Sequence, residues 1–127
     1  GAGLIGEFPE AMEEKAFLDH IQTVFAVPVV RHTTLRGLPV KKLAICGGAG
    51  SFLISKALAS GADAFITADL KYHEFFDANG RLLLCDVGHY ESEQYTTDLL
   101  AEVLRQKFPT FAVLKTEVKT NPVSYFI

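Results

Sequence analysis

Within Asp86-Val87-Gly88-His89-Tyr90-Glu91-Ser92-Glu93, two residues have the types and spacing of metal ligands: His89 and Glu93, four positions apart. On a helix that spacing stacks both side chains on one face. An imidazole nitrogen suits Zn, Fe, Ni or Co, and a carboxylate oxygen suits Mn or Mg as well, so the pair could hold a divalent ion. Two ligands make half a site. The plainer reading is a solvated helix start, where Glu91 and Glu93 favour the positive end of the helix dipole and His89 is an ordinary polar residue.

Two other stretches carry groups of chemical use. Gly47-Gly48-Ala49-Gly50-Ser51 could offer backbone N–H groups to an anion, and Thr67-Ala68-Asp69 with His73 brings a carboxylate and an imidazole. Each has a structural alternative: the glycines make a tight turn, and Asp69 caps the following helix. Gly1-Ala2-Gly3-Leu4-Ile5-Gly6 matches G-x-G-x-x-G, but a dinucleotide site needs a strand before it, so the stretch reads as a flexible opening loop. His32, Arg36 and Lys41 are either an anion-binding set or scattered solvated charges. His20 reads as a surface residue.

The elements that must position these groups follow from periodicity. Pro9 opens a helix with Met12, Ala16, Phe17, Ile21, Val24 and Phe25 on its apolar side. Val27-Pro28-Val29-Val30-Arg31 suggests an edge strand. From there the chain alternates: strand 42–46, turn 47–50, helix 51–60, strand 63–67, a short helix holding Lys71, Tyr72, His73 and Phe76, and strand 82–87. A long helix over 89–108 is expected to bury Leu99, Leu100, Val103 and Leu104, and Phe111-Ala112-Val113-Leu114 is expected to form a last strand before a turn at Asn121-Pro122. Alternating strands and helices predict a single α/β domain over 1–127, with a largely parallel sheet and helices on both faces. In such a sheet the strand-to-helix turns share one edge, where ligands usually bind. That edge would bring together Gly47-Gly48-Ala49-Gly50-Ser51, then Thr67-Ala68-Asp69 with His73, then Asp86, Gly88 and His89 with Glu93.

Composition narrows the classes of function. The chain has 127 residues, 49% of them hydrophobic, enough for a sizeable core. Fifteen acidic against 12 basic residues give a net charge of −3, which argues against broad, electrostatically driven nucleic-acid binding. Cys46 and Cys85 lie near the ends of apolar runs and read as buried thiols of a reducing compartment. No apolar stretch approaches membrane-spanning length, and no basic-then-apolar segment opens the chain. A cytoplasmic protein with no membrane segment is expected.

The three motifs Gly47-Gly48-Ala49-Gly50-Ser51, Gly61-Ala62-Asp63-Ala64-Phe65-Ile66-Thr67-Ala68-Asp69-Leu70-Lys71-Tyr72-His73 and Gly88-His89-Tyr90-Glu91-Ser92-Glu93, in that order, resemble the C-terminal part of the Nif-three-like family. These NGG-interacting factor three-like proteins are often labelled GTP cyclohydrolase type-two homologues. Gly3-Leu4-Ile5-Gly6-Glu7 and Asn121-Pro122 fit the same pattern, so the resemblance covers essentially the whole chain. It implies an α/β fold, a dinuclear centre of divalent metal (Zn, Fe, Mn, Ni or Co), and a ring-shaped homohexamer. By position His89 and Glu93 match the family's C-terminal metal ligands, His73 a histidine near the site, and Asp69 an acidic residue after a Thr-Gly pair, where this chain has Thr67-Ala68. The family's other ligands, an adjacent histidine pair and an aspartate, belong to its N-terminal part, and no adjacent histidines occur here.

Three functions are consistent with these residues. One is a metal-dependent hydrolase acting on a nucleotide-like or phosphorylated small molecule, with His89 and Glu93 as ligands, His73 and Asp69 as catalytic groups and residues 47–51 as an anion cradle. Another is a non-catalytic metal-binding module for regulation or protein interaction. The third is architectural, with Phe75-Phe76 and residues 108–111 supplying contacts for self-association.

Overall fold

Ala64-Phe65-Ile66-Thr67-Ala68 is buried along its whole length, and so is Leu83-Leu84-Cys85-Asp86. Strands apolar on both sides need cover on both faces, so they belong at the centre of a sheet. In the computed structural model, which describes residues 2–127, they occupy that place. The elements are β1 (Leu4–Met12), α1 (Glu14–Phe25), β2 (Arg31–His32), β3 (Val40–Ala49), α2 (Ile54–Ala59), β4 (Ala64–Ala68), β5 (Leu83–Asp86), α3 (His89–Glu93) and α4 (Thr96–Lys107). Short 3-10 helices at Ser51–Leu53 and Tyr72–Ala78 precede α2 and follow β4. The chain divides into two compact units, Gly1–Ser92 and Glu93–Ile127.

In the first unit the strand order is β1-β3-β4-β5-β2. Strands β3, β4 and β5 run parallel, whereas β1 pairs antiparallel with β3 and β2 antiparallel with β5. The sheet is therefore mixed, and the expectation of a largely parallel one is corrected at both edges. The reason lies in the early chain: α1 joins β1 to β2 as one crossover between the two edges, so these strands share a direction, and the helix-free connection 33–39 then reverses the chain into β3, which leaves both edges antiparallel to the central strands. Side-chain alternation then sorts the core. Ala64, Ile66, Leu83 and Cys85 meet Phe17 and Ile21 of α1, while Phe65, Leu82 and Leu84 meet Ile54 and Ala57 of α2, with Leu70 and Ala78. Helical cover lies on both faces, as the buried strands require.

Several boundaries differ from those read in the sequence. Gly1 lies outside the described residues; from Leu4 the glycine-rich opening is part of β1. Pro9 sits within that strand rather than opening a helix, and the register slips between Glu7 and Met12. An edge strand tolerates both, since a proline without an N–H and a bulge each cost nothing where no outer partner exists. The second edge strand is limited to Arg31–His32, because Pro28 precedes it in irregular backbone. Helix 51–60 is a 3-10 turn running into the six-residue α2, and the glycines at 47 and 48 extend β3.

At the end of the sheet where the parallel strands begin, the buried side chains of Glu14 and Arg36 and the half-buried Asp63 form an ion-pair group. The Arg36 Nε donates to Glu14 Oε1 at 3.0 Å, and its Nη1 lies 3.5 Å from Asp63 Oδ1. The N–H groups of Arg36 and Gly37 also donate to Glu14, and those of Lys41 and Lys42 to Asp63. Burial pushes both carboxyls up, but these donors outweigh it and hold Glu14 and Asp63 below their ordinary values. Arg36 is thus neither an anion-site residue nor a solvated charge; it fixes the 33–39 loop to α1.

The long helix expected over 89–108 is broken at Gln94-Tyr95 into α3 and α4. In the second unit Leu99, Leu100, Val103 and Leu104 are exposed rather than buried, at 44–61%, and residues 108–127 form no regular element, so the strand at 111–114 is absent. The chain still turns back along α4: Arg105 donates to the Val113 carbonyl at 3.0 Å, Lys115 pairs with Asp98, and Phe108 meets Phe111 edge-on. Asn121 accepts from the Val123 N–H, a local turn before the end.

Candidate functional site

The C-terminal ends of β3, β4 and β5 lead into three turns that hydrogen bonds tie together. Thr67 Oγ donates to the Gly48 carbonyl at 3.0 Å, and the Gly48 N–H donates to Ser92 Oγ at 2.8 Å. The Leu70 N–H donates to Asp86 Oδ2 at 3.0 Å, and the Gly88 N–H to Asp86 Oδ1 at 3.1 Å. Asp86 also receives Arg31 Nη1 at 3.0 Å, so one buried carboxylate, 5% exposed, holds two turns and the edge strand β2. A carboxylate can be buried at that cost only when its oxygens are this well supplied with donors.

Between Ala68 and Leu70 the backbone enters the left-handed region at Asp69, with φ 56°. This is an uncommon conformation for a residue with a side chain, though least so for Asp and Asn. The turn presents the Asp69 carboxylate to the start of α3, where Oδ2 lies 2.6 Å from His89 Nδ1. Both side chains are about half exposed, at 52%. An ionised carboxylate accepts only, so the Nδ1 nitrogen carries the hydrogen of this pair.

The sequence-derived candidates separate clearly. Asp69 and His89 are brought into contact. Glu93 is the last residue of α3 and is exposed. His73 is exposed on the 3-10 segment Tyr72–Ala78. Asp69 does not cap that segment; Glu74 does, accepting the Lys71 N–H at 2.7 Å. That N–H, with the Ser51 hydroxyl and the charges of Lys71 and His73, holds the Glu74 carboxyl below its ordinary value. In the glycine turn, the Gly48 N–H serves Ser92, the Ser51 hydroxyl serves Glu74, and Gly50 is closely packed: a Cβ there would lie 2.3 Å from Thr67 Oγ. Among the described residues no group of three or more His, Cys, Asp and Glu side chains is arranged to hold a metal ion. Cys46 and Cys85 are buried thiols, neither of them in a disulfide.

Sequence reasoning placed Thr67 and Asp86 at this edge without giving either a role, and passed over Ser92 and Arg31. For Asp86 a signal was present: a carboxylate at the end of an apolar central strand must find donors, and the N–H groups of neighbouring turns are the ones in reach.

The sequence profile of Duf34/NIF3 (NGG1p interacting factor 3) matches residues 1–122. Curated relatives include a Staphylococcus epidermidis protein named GTP cyclohydrolase 1 type 2 homolog, 35% identical over 98% of this chain and 35% of its own length. A Campylobacter jejuni protein of the same name is 33% identical over 91% of this chain and 46% of its own. The chain thus spans between about a third and a half of these relatives. Among solved structures, Staphylococcus aureus protein SA1388 superposes with a TM-score of 0.84 at 28% identity, over 99% of this chain and 42% of that one. The Bacillus cereus protein related to NIF3 gives 0.81 at 28%, over 99% and 36%.

Proposed function

The chain belongs to the Duf34/NIF3 family, and from that premise we propose that it is part of a dinuclear divalent-metal protein that hydrolyses a nucleotide-like or phosphorylated small molecule. His89 and Glu93 are its ligands in this reading. The observation that carries it is the 2.6 Å contact between Asp69 and His89 Nδ1. Histidines that bind metal through one nitrogen almost always donate the other N–H to a carboxylate or carbonyl, which fixes ring and tautomer.

The donor set fits a divalent ion as far as it goes: one imidazole nitrogen and one carboxylate, the mixture that Zn, Fe, Mn, Co and Ni accept. The remaining ligands would be the histidine pair and aspartate of the family's N-terminal part. When bound, such ions supply Lewis acidity and an activated water at neutral pH. The chain's own residues supply position. Asp69 holds the imidazole, and is a positioning residue rather than a catalytic one. Asp86 holds the two turns that carry Asp69 and His89, and His73 is the proposed proton carrier. No phosphate is assigned to residues 47–51, because the Gly48 N–H and the Ser51 hydroxyl already have protein partners.

Of the two non-catalytic readings, self-association is favoured by the exposed Leu99, Leu100, Val103 and Leu104 of α4. Such an apolar stripe on a helix marks an interaction surface.

The test is elemental analysis and calorimetric titration with Zn, Mn and Fe(II), on this chain and on a full-length relative, each beside its Asp69→Asn and His89→Ala counterparts. We expect the relative to carry metal, His89→Ala to lose it, and Asp69→Asn to weaken it by about 10- to 100-fold. A relative that binds no divalent ion under reducing conditions would remove the hydrolase reading and leave self-association.

A further inference from the structure

Away from the Asp69–His89 site, a groove of about 810 Å³ runs between the β2 edge and the 3-10 segment Tyr72–Ala78. That volume is in the range of small-molecule sites. One wall carries Arg31 and His32, the other Tyr72, Phe75 and Phe76. Tyr72 and Phe76 are 78% and 67% exposed and meet edge-to-face with centroids 5.4 Å apart. One ring's edge covers a face of the other, and their high exposure leaves the remaining ring surface to the groove side or to solvent.

Arg31 determines what kind of ligand suits the groove. Its Nη1 donates to Asp86 and its Nη2 to the Leu70 carbonyl, each at 3.0 Å, and its guanidinium carbon lies 5.1 Å from the Phe75 ring centroid. Its charge is offset by Asp86, yet its side chain is 56% exposed. What remains available is a flat, pinned face, suited to stacking and poorly suited to an anion. His32 Nδ1 lies 2.7 Å from the Thr33 carbonyl, so it carries the hydrogen and Nε2 is the ring's acceptor.

We propose that this groove binds a flat aromatic heterocycle bearing an N–H donor, of the nucleobase class, by stacking on Tyr72, Phe76 and the Arg31 face with His32 Nε2 accepting its hydrogen bond. A net charge of −3 and a neutralised Arg31 do not suit a polyanion. The proposal stands independently of the metal reading, since it uses none of the residues assigned to metal.

Adenosine and guanosine are the probes, titrated into the whole chain while the Tyr72, Phe76 and His32 resonances are followed by NMR. Ribose, AMP and a single-stranded adenine oligonucleotide run beside them. Saturable shifts from at least one nucleoside, none from ribose, and AMP no tighter than its nucleoside are expected. Tyr72→Ala and Phe76→Ala, both exposed and checked for folding by circular dichroism, should each weaken binding about 5- to 100-fold. The proposal is overturned if neither nucleoside shifts these resonances, if AMP or the oligonucleotide binds far more tightly, or if folded Tyr72→Ala and Phe76→Ala variants bind as the parent does. It is also overturned if sedimentation shows that the same rings hold two copies of the chain together.

Discussion

Replacing Asp86 by alanine should cost more stability than its single ion pair suggests, because its chief clients are backbone groups. The Leu70 N–H, on a buried residue, would lose its acceptor in a dry environment, at about 1–3 kcal/mol. The Gly88 N–H is only half-buried and can regain water, so its loss adds under about 1 kcal/mol. Arg31 is more than half exposed, and its pair is screened by solvent, adding up to about 1 kcal/mol. Together these give about 1–5 kcal/mol, centred near 3, which is a fall in Tm of roughly 12–24 °C at the centre for a unit of this size. Arg31→Ala spares both turn N–H bonds and removes only the screened pair with Asp86, the bond to the Leu70 carbonyl and the packing on Phe75, so it should cost less, about 1–2 kcal/mol. Urea unfolding followed by circular dichroism measures both variants. An Asp86→Ala cost below about 1 kcal/mol, or one equal to that of Arg31→Ala, would refute the assignment of the stability to the turn N–H groups.

Two further expectations concern the opposite end of the sheet and the glycine turn. Glu14 and Asp63 have folded values depressed below 4.5 and 3.8, so their contribution is complete above those ordinary values and is lost as pH falls through the depressed ones. Glu14→Gln should flatten that acid limb in pH-dependent urea melts and cost about 3 kcal/mol at neutral pH, since it leaves Arg36 buried with a weakened partner set; an unchanged acid limb would count against the assignment. Gly50→Ala should cost about 1–3 kcal/mol by thermal melt, because the new Cβ would lie 2.3 Å from Thr67 Oγ and 3.0 Å from Cys46 Cβ. A neutral substitution would mean that the turn after β3 yields easily.

The centre of the fold was readable because β4 and β5 are short, apolar and bounded by turn residues, a pattern few other structures satisfy. Their alternation also located the edge where Asp69 and His89 meet. The margins were less readable for physical reasons. Leu4–Met12 is an exposed edge strand with little alternation, and Pro9 resembles a helix start as readily as an edge residue. The break at Gln94-Tyr95 leaves the apolar period of the flanking helices intact, so periodicity ran through it. That period then implied burial for Leu99 and Leu104, whereas a moment identifies only an apolar face and not what covers it. Asp86 went unassigned because its donors are backbone groups of other turns, and spacing along a chain carries no trace of them.

The pairing of β2 with β5 has a consequence for synthesis. Arg31 meets Asp86 across 55 residues, whereas the parallel strands are built from neighbouring segments. At about 5–20 residues per second, β2 leaves the ribosome roughly 3–11 s before its partner strand exists. During that wait it is a segment of only two ladder residues, too short to recruit a wrong neighbour. The clamp at Asp86 therefore closes late, and the turn that carries Asp69 gains its full set of restraints only when the nascent chain has delivered β5 to the waiting edge.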